Sequence, residues 1–525
     1  MSFVSFTFWG FLLLLLLLYY LLPKRFQWKL LLIGSLIFYA FAGPKYLIYI
    51  VITILSTWGA GVLMQKHYDA QDAYLKANKT ALSRDEKKAY KAAVAKKARL
   101  ILTGCLLLNL GILAVIKYSN FFLENVSALF HADLGRTSFL LPLGISFFMF
   151  QSLGYAIDVY RRKYPAEKNL AKSALFTSFF PQVIQGPISR YDQLSQTLYA
   201  EHAFEIQNIK DGLWRITWGY FKKLVIADRL APAVTALTKS AGEYPGVYVV
   251  ATIIFYALQI YGDFTGGIDI TIGVARLFGI EVTENFNRPF FSKNIADYWR
   301  RWHITMGSWF RDYLFYPVSL SKGVQKLSKW CKAHIGENFG KKLPLYISTI
   351  VVWLATGLWH GAAWHFIVWG MVNCVILLIS QEMTQLYQKF HERFAFSNTK
   401  YWEWFMIVRT FFMMGMIRVL DVYQSGALTA KMLFSIFTTP NWGALFDRSF
   451  LSLGLSGADY LVVFFGTLVI WIVALIKGRK PVLSWLEERP AGLRYLLFGL
   501  LVVSILLFGA YGIGYDASQF IYNQF

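Results

Sequence analysis

The amino-acid sequence predicts an all-α protein that passes through a membrane many times. Three observations carry this prediction. Of 525 residues, 56% are hydrophobic and 18% aromatic. The mean hydropathy is +0.44. Apolar runs able to cross a hydrocarbon core of about 30 Å recur along the whole chain. Spans are expected near 4–22, 28–42, 45–65, 100–117, 138–160, 170–188, 210–232, 246–264, 345–360, 365–383, 403–421, 457–476 and 495–513. Several are short or carry Gly and Pro, so the expectation is about eleven or more transmembrane helices.

The first run, "FWGFLLLLLLLYYLL", has no basic residue before it and only "PKRF" after it. With no small-residue cleavage site, it reads as a first membrane helix rather than a signal peptide. Basic residues set the orientation. The stretch 66–99 holds ten Lys and Arg against four acids, and "PKRFQW" (23–28), "RRKYPAEKN" (161–169) and 477–494 are smaller basic loops. The positive-inside tendency places all of them in the cytoplasm and both chain ends outside. The net charge of +22 then follows from topology and contact with anionic lipid. No nucleic-acid partner is expected, because no zinc finger, RNA-recognition motif or separate basic domain is present.

Cys105, Cys331 and Cys374 are scattered and form neither a disulfide framework nor a metal cluster. No tandem repeat or flexible linker divides the chain, so residues 1–525 read as one transmembrane domain. Its hydrophilic insert, 66–99, is rich in Ala and Lys and is expected as a charged cytoplasmic helix.

The middle of the chain departs from this pattern. "YGDFTGGIDITIGVARLFGI" (261–280) sets two acids and five glycines in an apolar frame. "NFNRPFFSKNIADYWRRWHITMGSWFRDYLFYPV" (285–318) is too polar for one lipid-facing span and too aromatic for a solvated loop. Such segments are tolerated at membrane depth only where protein buries them or a wet cavity meets them. Re-entrant or horizontal helices around a central chamber are therefore expected, with a Lys-rich loop at 319–344 returning to the cytoplasm.

Ionisable residues inside a membrane protein are candidates for function. Here they are Asp158, Asp263, Asp269, His303, His360 and His365, with Arg300, Arg301 and Arg311 nearby. On one helix His360 and His365 would lie about 140° apart, and there is no HExxH motif, so no metal site is expected. No GxSxG elbow, P-loop or GxGxxG motif is present either. What remains is an imidazole acting on a substrate held in the chamber. A hydroxyl that attacks an acyl carbonyl needs such a base near neutral pH, and a dry site protects the acyl group from hydrolysis. A hydrogen-bonded packing role for each histidine stays open beside this.

"YWRRWHITMGSWFRDYLFYPV" followed by "GLWHGAAWHFIVWG" resembles the membrane-bound O-acyltransferase (MBOAT) family, in its bacterial branch with the membrane subunit of alginate O-acetyltransferase. "FFPQVIQGPISRY" (179–191), "YFKKLVIADRLA" (220–231), "GDFTGGIDITIGVARLFGI" (262–280), "ENFNRPF" (284–290) and "FIYNQF" (520–525) support it. The resemblance implies a helical bundle around a funnel in the bacterial cell membrane, with a catalytic core at about 179–383. It implies an acyl-CoA donor, acetyl-CoA, from the cytoplasm and no tightly bound cofactor. It also implies a polysaccharide acceptor and an extracellular SGNH-type partner. The Trp-His-Gly motif makes His360 the general base, and the Arg-Trp-His motif gives His303 the task of orienting the hydroxyl or stabilising the oxyanion. His365 has no role by resemblance.

Arg300, Arg301 and Arg311 are candidates to bind donor phosphates, the alternative being pairing with Asp297 and Asp312 or snorkelling. Lys222, Lys223 and Arg229 carry the same two readings. "RDYLFYPVSLSKG" (311–323) replaces the Gly-Gly-Asn-Arg continuation of many alginate-type relatives, which leaves the acceptor open. D-alanyl transfer from a carrier protein to teichoic acid is the alternative within the enzymes, and a polysaccharide exporter is the alternative outside them.

Overall fold

The computed structural model describes residues 1–139 and 141–511. The "FIYNQF" block and the end of the last expected span lie outside them. Every regular element among the described residues is helical.

One compact unit comprises Met1–Ile209 and Val274–Thr283. It holds α1 (Phe6–Leu21), α2 (Gln27–Ala40), α3 (Leu47–Ala77), α4 (Arg84–Phe130), α5 (Ile145–Tyr160), α6 (Leu170–Ser178) and α7 (Tyr191–Leu198). The basic insert is not a helix of its own. It is formed by the ends of α3 and α4, which run on past the apolar stretch and meet through the Tyr74 and Tyr90 rings, 4.5 Å apart. Ser83 opens α4 with a capping box: its hydroxyl accepts the Glu86 N–H, and the Glu86 carboxylate accepts the Ser83 N–H. Good helix formers then carry α4 through 47 residues, about 70 Å at 1.5 Å per residue.

The span expected at 170–188 is helical only to Ser178. Pro181, Gly186 and Pro187 prevent its continuation. The unwound stretch is buried, and the Gln182 amide donates to Pro187 O (3.2 Å) and Ser189 Oγ (2.5 Å).

The second unit takes Lys210–Gly273 and the described residues from Glu284 onward. Most of α8 (Ile206–Tyr220) lies here, followed by a π-helical turn, Phe221–Ala227, and α9 (Asp228–Lys239). Most of α10 (Val247–Leu277) belongs here too. A Cβ on Gly219 would lie 2.6 Å from the Gly266 carbonyl, so α8 and α10 touch backbone to backbone.

The polar middle breaks into short helices as expected: α11 (Ile295–Arg301), α12 (Ile304–Phe310), a π turn at Arg311–Phe315, and α13 (Tyr316–Ser319). The stretch 319–344 is not a loop but a helical corner, made by α14 (Lys322–His334) and the first turns of α15 (Glu337–His360). Ser328 Oγ–H donates to Gly340 O across it at 2.7 Å. There follow α16 (Trp364–Glu382), α17 (Thr384–Arg393), α18 (Lys400–Arg418), α19 (Leu420–Tyr423), α20 (Gly426–Thr438), α21 (Gly457–Lys477), α22 (Val482–Glu487) and α23 (Ala491–Phe508).

Seven helices among the described residues are long and apolar enough to cross a bilayer alone: α3, α4, α10, α15, α16, α21 and α23. By this measure the expected eleven or more are not reached, and α1 and α20 are apolar but shorter. The protein is a polytopic, all-helical membrane protein.

Candidate active site

Both histidine blocks fall in the second unit, beside a cavity of about 1370 Å3. The cavity is lined mainly by α11, α12 and α15–α18, and His303 is part of its wall.

His303 stands between two helices. Asn294 starts α11 by accepting the Asp297 N–H on its side chain at 2.8 Å, and the basic pair Arg300 and Arg301 ends it. Trp302 is extended, and His303 takes a left-handed backbone, φ 48° and ψ 53°, before α12 begins. This reversal turns the imidazole onto Phe264 (ring centroids 5.0 Å) and Trp359 (5.7 Å). Burial among these groups pushes the His303 ring down to about 3, so it is neutral at physiological pH.

His360 closes α15 and His365 opens α16, so the pair is not carried on one helix. The helices meet closely at glycines: a Cβ on Gly370 would lie 2.5 Å from the Trp353 carbonyl, and one on Gly357 would lie 2.6 Å from the Phe366 carbonyl. That approach seats the buried His360 ring on Trp369, 4.5 Å between centroids. The Trp359 ring is 5.1 Å from the His360 ring, so this one indole touches both His303 and His360. His360 is not among the cavity-lining residues. The His365 ring packs on Phe366 at 4.1 Å, and its buried Nε2 has no hydrogen-bond partner.

The arginines separate. Arg300 and Arg311 line the cavity together with Lys293 and Arg409. Arg311 Nε donates to Asp312 at 2.9 Å and Arg301 Nε to Asp297 at 3.0 Å, so both predicted pairings are present. Arg300 lies 3.6 Å from Asp297 and is largely exposed.

The acids lie elsewhere. Lys223 Nζ donates to Asp228 (2.7 Å) and Asp263 (2.6 Å). Asp269 pairs with Lys222 and with Arg215. Arg229 pairs with Asp459. Asp158, in the first unit, faces Lys163 at 3.6 Å.

Several residues of the site escaped sequence reasoning. Asn285 contacts His303 and caps α12. Trp299 Nε1–H donates to Asn373 Oδ1 at 3.2 Å, joining α11 to α16. Arg418 lies over the Trp302 ring at 4.3 Å and donates to Tyr298 OH at 3.1 Å. A buried amide or guanidinium amid aromatics was the available signal, but the partners lie far apart in the chain. Among the described residues no three metal-ligating side chains gather.

Comparison with known proteins agrees with the two blocks. The family model for MBOAT, the membrane-bound O-acyltransferase family, matches residues 167–327 and 325–420, which include His303 and His360. A probable alginate O-acetylase of Azotobacter vinelandii is 33% identical over 378 residues, covering 70% of this chain and 66% of that protein. A peptidoglycan O-acetyltransferase of Helicobacter pylori is 30% identical over 69% of this chain and 66% of its own. A probable alginate O-acetylase of Pseudomonas putida is 30% identical over 70% of this chain and 67% of its own. The match thus spans about two thirds of each relative, just under that share in the first two. On this breadth of similarity, with both histidine segments inside the family match, the chain belongs to the membrane-bound O-acyltransferase family.

Proposed function

We propose that the protein is an O-acyltransferase of the bacterial cytoplasmic membrane that moves an acetyl group from acetyl-CoA toward an exported or cell-wall polysaccharide. The observation that carries this reading is the pair of buried imidazoles on either ring contact of Trp359, one of them in the wall of a large cavity. The named activities of the relatives, O-acetylation of alginate and of peptidoglycan, support the reaction class and a carbohydrate acceptor.

In this reading an acceptor hydroxyl attacks the thioester carbonyl. The new C–O bond forms as the C–S bond breaks, and the hydroxyl proton passes to His360 and then to the departing thiolate. His303 holds the hydroxyl. Because His303 lines the cavity and His360 does not, the reacting groups meet past Trp359, and that indole screens the acyl group from bulk water. Arg300, Arg311, Lys293 and Arg409 supply the cations for the donor's phosphates. Arg301, engaged with Asp297, shapes the end of α11. An extracellular SGNH-type protein receives the acetyl group and completes transfer onto sugar.

Protein purified into lipid nanodiscs and given labelled acetyl-CoA, the SGNH-type partner and a candidate polysaccharide tests the reading. Release of free CoA together with acceptor-dependent ester formation is expected. Turnover of a D-alanyl carrier protein instead would replace the donor, and polysaccharide flux without thioester turnover would replace the enzyme with an exporter.

A further inference from the structure

Asn285 lies in the irregular segment between α10 and α11 and is fully buried. Its main-chain carbonyl accepts the Ile304 N–H at 2.9 Å. Its side-chain Oδ1 accepts the Thr305 N–H at 3.0 Å and the Thr305 hydroxyl at 2.9 Å. These N–H groups open α12, whose N-cap residue, His303, makes no side-chain capping bond. Asn285 therefore caps the helix from another segment. The Asn287 N–H donates to Arg301 O at 3.0 Å and extends the same contact.

A backbone N–H can only donate, so the atom of Asn285 facing Thr305 is the amide oxygen. That oxygen is also 3.3 Å from His303 Nδ1. An amide oxygen can only accept, which puts the ring proton on Nδ1 and the lone pair of the neutral ring on Nε2. The left-handed backbone of His303 is uncommon for a residue with a Cβ and persists where its surroundings over-determine it. The bonds from Asn285 to residues 303–305 provide that constraint.

We propose that Asn285 is a positioning residue that holds His303 as the Nδ1–H tautomer in its left-handed conformation and so makes Nε2 the ring's hydrogen-bond acceptor. Resting on the acyl-transfer reading, this selects between the two tasks open to His303. A neutral imidazole whose N–H is engaged by Asn285 has no second N–H for an oxyanion, so His303 accepts the hydrogen bond of the incoming hydroxyl.

The charged groups on the elements around the ring are already engaged. Asp263 is bonded to Lys223, Asp269 to Arg215 and Lys222, Glu284 to Arg215, and Asp297 to Arg301. His360 is a further titratable group and lies across Trp359 from the ring.

Two measurements test the proposal. In 15N-histidine-labelled protein in lipid, with His303→Gln to assign the signal, the His303 ring should show protonated Nδ1 and bare Nε2 at neutral pH. Asn285→Asp keeps the acceptor for Thr305 but adds a negative charge. The variant should stay folded and raise the pH at which the His303 ring takes its second proton, followed by its 15N shifts, by about 1–3 pH units. A protonated Nε2 in the wild-type protein, or a variant profile that overlays the wild type, overturns the proposal. The NMR result needs neither acyl donor nor Asn285 variant, so failure of the acyl-transfer reading and failure of this one are told apart.

Discussion

Two buried polar clusters in the second unit follow opposite rules. Around the π turn after α8, Arg215, Lys222 and Lys223 meet Asp228, Asp263, Asp269 and Glu284 in direct ion pairs. Around Trp359, His303 and His360 are set among aromatic rings and an amide. By the rule that ionisable groups inside a membrane protein mark function, Asp263, Asp269 and His303 looked equivalent. Their partners separate them. Charges cancelled by short ion pairs tie helices together and have little freedom to exchange protons. The His303 imidazole sits on the cavity wall with an amide and aromatic rings, not a countercharge, around it. In the proposed reading the first cluster is scaffold, and the second is the chemical site.

The largest effect should come from breaking the scaffold. Asp269→Ala leaves the buried Lys222 without its carboxylate, while Arg215 keeps Glu284, and should cost about 3–5 kcal/mol of stability. Thermal unfolding in detergent would show it, with activity lost only in proportion to the protein unfolded. A variant of wild-type stability with selectively reduced activity would move Asp269 into the chemical site.

His303→Gln should do the reverse, lowering acyl transfer about 10²–10⁴-fold with little change in melting temperature at neutral pH. It should also flatten the acid dependence of stability. Burial holds the folded ring at about 3, far below the ordinary histidine value, so it refuses a proton that the unfolded ring accepts. Its contribution to stability therefore falls as pH drops below about 6.5, by up to about 1.4 kcal/mol per pH unit. Wild-type protein should lose this component between roughly pH 6.5 and 3, and His303→Gln should lack it.

The smallest effect belongs to His365. Its ring packs on Phe366 outside the cavity lining, and His365→Phe exchanges a buried nitrogen without a partner for carbon. Activity should stay within about threefold of wild type, because such a swap keeps volume and removes an unsatisfied polar atom. A loss comparable to that of His303→Gln would mean that the chemical cluster extends into α16.

Much of this contrast was legible in the chain. The apolar runs gave the membrane class, and the two Trp- and His-containing blocks gave both imidazoles. The basic insert was legible as helical, but "SRDE" at 83–86 is a capping box that joins its second half to the next span in one helix. Treating His360 and His365 as residues of one helix overlooked Gly361, where α15 ends. Lys222 and Lys223, adjacent in sequence, reach different carboxylates, Asp269 and Asp263, and which acid each meets is set by the packing against α10, which periodicity does not show. Asn285 was out of reach for a different reason. Its role depends on capping a helix that starts nineteen residues later, through a contact that only the tertiary fold creates.

The central claim is that the histidine cluster performs acyl transfer, with His360 as the base. Single-turnover release of CoA from acetyl-CoA, with acceptor present, tests it most directly in wild-type and His360→Ala protein of matched melting temperature in nanodiscs. The account predicts a rate lowered about 10²–10⁴-fold in the variant. CoA release at the wild-type rate would contradict it.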